Sequence, residues 1–234
     1  MVESRAERVL EPTRPSRVLL LGAGGFIGSA VLARFNAEGV EVRAVARRRE
    51  PSSLANVAWR ALDLATLLEP KDWLPHLEGV DVVVNCAGVL QGPESRAVHV
   101  DSARALYAAC ERAAVLRVVL VSAIGVERGA VSEFSATKAG GELALMSTSL
   151  DWVVLRPSVV VGRAAYGGTA LLRGLAALPV ALEFPDTGPL QVVQLDGPAL
   201  VLVAPVIERA PHFDRGLDVK VALLAEARES TRAA

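Results

Sequence analysis

Val18-Leu19-Leu20-Leu21-Gly22-Ala23-Gly24-Gly25-Phe26-Ile27-Gly28-Ser29-Ala30-Val31 is the stretch on which the fold of this 234-residue chain turns. An apolar run stops at Gly22, and the residues that follow set Ile27, Val31 and Phe35 on one helical face before Gly39 ends the pattern. A strand that turns through glycines straight into a helix brings backbone amides to the positive end of that helix, where they can meet a pyrophosphate. A β-carbon at the contact points would block the approach. The strand before and the helix after distinguish this from a tight turn of small residues that binds nothing. The stretch therefore predicts a dinucleotide site with contacts at Gly22, Gly24, Gly25, Phe26, Ile27 and Gly28.

Outward from this turn, the same alternation repeats. Short apolar runs stand at Val18 to Leu21, Val40 to Ala46, Val57 to Leu62, Val80 to Asn85, Leu116 to Ser122, Trp152 to Leu155 and Gln191 to Leu195. Helix-like stretches lie between them at Ile27 to Glu38, Ala103 to Ala114 and Ser135 to Met146. Strands separated by helical patterns of about 10–15 residues indicate βαβ units. The expected fold class is α/β, a doubly wound parallel sheet with a small C-terminal substrate lobe. Residues 1–16 read as a disordered tail and 17–162 as the dinucleotide-binding domain. Residues 163–234 read as a small substrate or lid region that completes the same domain. Within it, Arg163 to Pro189 is rich in Gly, Ala and Pro, as a lid is. After Pro205 only a last strand near Leu217 to Val219 and a short tail helix are expected.

Composition excludes several functions. Lys and Arg total 25 against 26 Asp and Glu, a net charge of −1, which is the wrong balance for a phosphate-gripping nucleic-acid binder. Aromatic residues make up 4%, too few for a base-stacking platform. The hydrophobic fraction of 52% and mean hydropathy of +0.37 are high. Even so, the apolar runs, such as Gly174 to Leu182 and Gly197 to Ile207, fall short of the roughly 20 residues of a membrane span. Parallel strands buried on both faces account for the excess. Met1 to Ser16 has acids, arginines and two prolines but no apolar core, unlike a secretory signal. Cys86 and Cys110 fit neither metal-ligand nor redox-pair spacing, so no metal is expected and a reduced, cytoplasmic setting is. His76, His99 and His212 are scattered and read as surface or packing residues. No Gly-x-Ser-x-Gly elbow, Walker lysine loop or His-Glu-x-x-His occurs.

Glycines at Gly22, Gly25 and Gly28, with Phe26-Ile27 before the last, resemble the short-chain dehydrogenase/reductase superfamily in its extended or atypical branches. These branches include NAD-dependent epimerase/dehydratase-like proteins. The resemblance runs from about Arg17 to Asp196 and implies the NAD(P)-binding Rossmann fold. It implies an adenine contact at Asp63-Leu64. Asn85-Cys86-Ala87-Gly88 resembles the family's Asn-Asn-Ala-Gly segment, and Cys86 reads as a small buried residue rather than a nucleophile. Ser122 stands at the family's catalytic serine. Leu155-Arg156-Pro157-Ser158-Val159-Val160-Val161-Gly162 resembles the Arg-Pro segment beside the nicotinamide, which implies contacts at Pro157, Ser158 and Val159.

Cofactor selectivity is read after the second strand. An acid there would hold the ribose hydroxyls of NAD. This chain has Val45-Ala46-Arg47-Arg48-Arg49. Guanidinium groups can grip a 2′-phosphate with paired hydrogen bonds, so NADP is expected ahead of NAD, through Arg47 first and Arg48 second. A solvated basic loop is the plainer reading of the same residues.

The family's acid–base motif is Tyr-x-x-x-Lys on a helix, with the lysine holding ribose and lowering the tyrosine pKa. Here the segment is Phe134-Ser135-Ala136-Thr137-Lys138. The spacing still places both side chains on one helix face. Lys138 is kept and the hydroxyl is lost. Ser122 and Lys138 remain as catalytic candidates. Tyr166 in the lid is a remote substitute, and Phe134 packed over the nicotinamide is another arrangement.

Three functions follow from the resemblance. One is an NADP-dependent oxidoreductase on an unknown small or apolar carbonyl or hydroxyl compound. Another is a non-catalytic binding module, similar to the accessory nucleotide-binding subunit of respiratory complex I or to NmrA-like redox sensors, as Ser122-Ala123-Ile124-Gly125 suggests. The third is a sugar-nucleotide epimerase or dehydratase, weakened by the missing tyrosine and the short C-terminal portion. Expected partners are the dinucleotide and a small-molecule substrate, with a homodimer formed through helices as a further expectation.

Overall fold

A computed structural model describes residues 17–48, 54–126, 132–162 and 192–195, with single positions at Ala170, Gly174 and Ala177. Six strands form one sheet: β1 (Arg17–Leu21), β2 (Glu41–Ala46), β3 (Val57–Ala61), β4 (Val82–Asn85), β5 (Arg117–Val121) and β6 (Asp151–Leu155). Their order is β3-β2-β1-β4-β5-β6, and every pairing is parallel. Helices α1 (Phe26–Ala37), α2 (Pro70–Leu77), α3 (Ser102–Arg112) and α4 (Glu133–Met146) cover its faces. A separate pair, β7 (Val159–Val161) and β8 (Val192–Gln194), is also parallel.

The apolar excess goes where the sequence placed it. Along β1, Val18 and Leu20 join Val31, Leu32 and Phe35 of α1 in one core. Leu19 and Leu21 join Trp73, Leu77, Leu106, Tyr107 and Leu145 in the other. Alternate residues of one strand thus enter opposite cores, which is why β1 reads as an unbroken apolar run. Emptying a site such as Leu20, fully buried, to alanine should cost roughly 2–5 kcal/mol.

Helix α2, the turn ahead of α3 and strand β7 carried no sequence assignment. Helix α2 has eight residues with Pro70 at its start and Pro75 inside, so its periodicity is short and interrupted. It holds because Glu69 and Asp72 form a reciprocal capping box and Trp73 and Leu77 are buried. Ahead of α3, Ala97–Asp101 form a π-helical turn. Gly141 of α4 packs against the His99 carbonyl, where a β-carbon would overlap it. Such turns are marked by backbone geometry and not by residue type.

The order of strands reverses between β1 and β4, and ligands in such sheets bind beyond the carboxyl ends at that switch point. The residues expected at 1–16, Arg49, Tyr166, most of Arg163 to Pro189, His212, and the last strand and tail helix lie outside the described residues. No helix among the described residues is long and apolar enough to cross a membrane.

Candidate functional site

The glycine turn after β1 and the segment after β4 meet at the switch point. Gly22 has φ +72°, and a β-carbon on it would stand 2.9 Å from the Ala87 nitrogen and the Cys86 carbonyl. Gly25 caps α1 without a side-chain bond, and no acid stands in that helix's first turn. The positive end of α1 is therefore directed at this crevice without an internal anion to quench it. Asn85 Oδ1 accepts from the Ala87 N–H at 3.0 Å and shapes the facing wall.

A cavity of about 1050 Å³ runs from this turn along the carboxyl edge of the sheet. It is lined by Gly22, Gly24, Gly25, Phe26 and Ile27, by Arg47 and Arg48, and by Asp63 and Leu64. Cys86, Ala87, Gly88, Ser122, Lys138, Pro157, Ser158 and Val159 complete the expected set. Gly28 alone of the predicted contacts does not line it. It is buried behind the turn, where a β-carbon would overlap the Gly22 carbonyl. Its glycine lets the helix close on the turn, which is a packing role.

At one end of the cavity, Arg47 and Arg48 follow β2 and Asp63 follows β3. The Asp63 side chain accepts from the Ala65 N–H at 3.0 Å. Glu94, which the sequence did not single out, faces Arg47 at 3.8 Å. Nothing in its local sequence marks it, because the loop that delivers it is irregular.

At the other end, Ser132 caps α4 by accepting from the Ser135 N–H, so Phe134 lies in the first turn and Lys138 one turn on. Lys138 is buried, and its Nζ donates to the Ala87 and Val121 carbonyls, each at 3.0 Å. Burial pulls its ammonium down to about 8. Burial pushes the Cys86 thiol up to about 12, against the opposing pull of Lys138, so it is no thiolate nucleophile at neutral pH. Ser122 is 5% exposed, and its Oγ has no partner among the described residues. A buried hydroxyl facing a cavity without a partner suits a ligand that supplies one.

Phe134 lies edge-on to His99, with centroids 5.8 Å apart, and its ring is 6.0 Å from the Lys138 Nζ. His99 does pack, as expected, yet it packs at the site. Its Nε2 accepts from the Val89 N–H at 2.9 Å, so the proton is on Nδ1, which meets Thr137 Oγ1 at 2.9 Å. The Thr137 hydroxyl in turn donates to the Glu133 carbonyl. Burial, then the Lys138 charge, holds His99 down at about 3, so it is neutral.

Arg156 does not face the cavity. Its guanidinium makes a buried bidentate pair with Glu142 of α4, at 2.9 and 2.6 Å. The pair fixes the end of β6 so that Pro157 to Val159 reach the cavity. Among the described residues no group of His, Cys, Asp and Glu is arranged to hold a metal.

Similar proteins are known both in sequence and in structure. A family model described as NAD(P)H-binding matches residues 22–174. A ceramide reductase of Caulobacter vibrioides is 26% identical over 194 residues, covering 80% of this chain. The chain spans 60% of that relative's length. Among solved structures, MoeE5 in complex with UDP-glucose and NAD superposes with TM-score 0.70 at 24% identity, over 84% of this chain and 73% of the other. UDP-glucose 4-epimerase of Thermus thermophilus with NAD gives 0.65 at 22%, over 81% and 74%. The glycine cradle, the switch-point cavity and the family match converge: this chain belongs to the NAD(P)H-binding family, on the Rossmann fold of the epimerase and dehydrogenase/reductase proteins.

Proposed function

We propose that the protein is an NADP(H)-dependent oxidoreductase of the atypical short-chain type, acting on a carbonyl or hydroxyl compound. The observation that carries this reading is one continuous cavity joining the glycine cradle to the buried, unpartnered Ser122 hydroxyl and to Lys138. The reductase reading is in keeping with the relative named as a ceramide reductase.

The cofactor, when bound, supplies or accepts a hydride. The amides of Gly22 to Ile27 would hold its pyrophosphate, Arg47 and Arg48 a 2′-phosphate, and Asp63 and Leu64 the adenosine. Cys86 to Gly88 would flank it, and Pro157 to Val159 would border the nicotinamide. Lys138 would hold ribose through the ammonium proton left after its two carbonyl bonds. Ser122 would donate to a substrate oxygen, replacing the partner it lacks. Phe134 contributes shape and shields the site from water, but no proton. Residues 163–234 would complete the substrate side of the same domain, and we place the protein in the cytoplasm.

A second reading, a dinucleotide-holding module with little turnover, rests on Phe134, since no phenol faces Lys138 among the described residues. A sugar-nucleotide epimerase or dehydratase is compatible with the fold. Thermal unfolding with NADPH, NADH or neither tests the main reading. Ligand at about a hundred times its Kd adds roughly 2.7 kcal/mol, a shift of several degrees. A shift with NADPH larger than with NADH is expected. No shift with either would withdraw the oxidoreductase reading.

A further inference from the structure

We infer that the substrate of this site is an uncharged carbonyl or alcohol carried on an alkyl chain, received between Leu90 and Ile124. The inference deepens the oxidoreductase reading and rests on it.

Charge is segregated along the cavity. Arg47 and Arg48 follow β2 and Asp63 follows β3, and Glu94, from the segment after β4, stands 3.8 Å from Arg47. Apart from Glu94, the one charged side chain lining the cavity beyond β4, β5 and β6 among the described residues is Lys138, already bonded to two carbonyls. Besides Ser122 and Ser158, that end is lined mainly by apolar side chains, including Val89, Phe134, Pro157 and Val160. A sugar nucleotide would bring a diphosphate to this end. Among the described residues no further cation lines this end to receive that charge, and burying it unpaired is costly.

The mouth is apolar too. Leu90 follows β4 and Ile124 follows β5, and these strands pair directly, with Asn85 opposite Leu120. Both side chains line the cavity, yet they are 53% and 43% exposed. Large apolar side chains exposed at the rim of a mostly apolar cavity are suited to receive an apolar ligand. Ser122, buried at the inner end with its hydroxyl unpartnered, is the polar anchor for the substrate oxygen.

Calorimetric titration of the full chain with 1-hexanol, 1-octanol and 1-decanol, with and without NADP⁺, tests this, with UDP-glucose as the contrasting probe. Affinity should rise about fourfold per added methylene, the equivalent of about 0.8 kcal/mol per buried CH₂. The double variant Leu90→Asp, Ile124→Asp should lose that dependence, and because both side chains are exposed it should fold. Equal affinity along the series, or tighter binding of UDP-glucose than of 1-decanol, overturns the inference. A chain-length dependence that survives in the double variant overturns the assigned mouth. A protein that took no dinucleotide would sink the oxidoreductase reading, while the titration without NADP⁺ would still decide the alkyl question.

Discussion

The two ends of the cavity are built on different principles. The cradle after β1 is made of backbone: Gly22 in the left-handed region, Gly25 at the head of α1, and Gly28 pressed against the Gly22 carbonyl. The end near α4 is made of side chains, where Ser122, Phe134, Lys138 and His99 are set by hydrogen bonds, ring contacts and burial. A backbone site tolerates no added atoms but is indifferent to chemistry. A side-chain site keeps its shape when one group changes and loses a reaction step instead. Phe134, where the motif this chain resembles has tyrosine, would be such a change, since it keeps a ring and brings no proton.

Gly28→Ala should have the largest effect. Its β-carbon would overlap the Gly22 carbonyl, so helix and turn must separate. Overpacking of this kind costs about 1–3 kcal/mol or more. Denaturant unfolding should show that loss, and NADPH binding should fall beyond detection. Retained binding would mean that the cradle is not the pyrophosphate site. At the other end Phe134→Tyr should leave NADPH affinity and stability nearly unchanged. Restoring a general acid should raise carbonyl reduction, assayed by NADPH oxidation, by about a hundredfold or more. A flat rate would favour the binding module.

This contrast also explains what the sequence disclosed. Glycines announce a cradle because they are required by geometry, and buried parallel strands announce themselves as unbroken apolar runs. Helix α2 stayed hidden because two prolines in eight residues break its pattern, although a capping box stabilises it. Glu94 stayed hidden because an irregular loop brings it to Arg47. His99 was legible only as a histidine. Its tautomer is fixed by Val89 and its place by Gly141 on a different helix, and no periodicity joins them.

His99 gives the next effect in size. Its folded pKa of about 3 lies below the ordinary 6.5, so between these values the unfolded chain binds the extra proton. Stability should then fall as pH drops below 6.5, by up to about 1.4 kcal/mol per unit. The Lys138 ammonium is the charge facing it. Urea unfolding at pH 7, 6 and 5 should show a steeper acid loss for the wild type than for His99→Asn. Parallel curves would assign the acid limb to another group.

The smallest effect belongs to the adenosine end, because its side chains stand in water. Arg47 is 76% exposed along its side chain, and its contact with Glu94 is long at 3.8 Å, so that pair contributes well under about 1 kcal/mol. A bidentate grip on a phosphate is stronger, but solvent screening limits it to about 1.4 kcal/mol here. Arg47→Ala should therefore weaken NADPH binding about tenfold in a fluorescence titration and leave NADH binding nearly unchanged. Glu94→Gln should act in the opposite sense and more weakly, since it removes a carboxylate that competes with the 2′-phosphate for the same guanidinium. Equal losses for both nucleotides in Arg47→Ala would mean that Arg47 acts on the shared adenosine and not on the phosphate. Selectivity would then lie with Arg48.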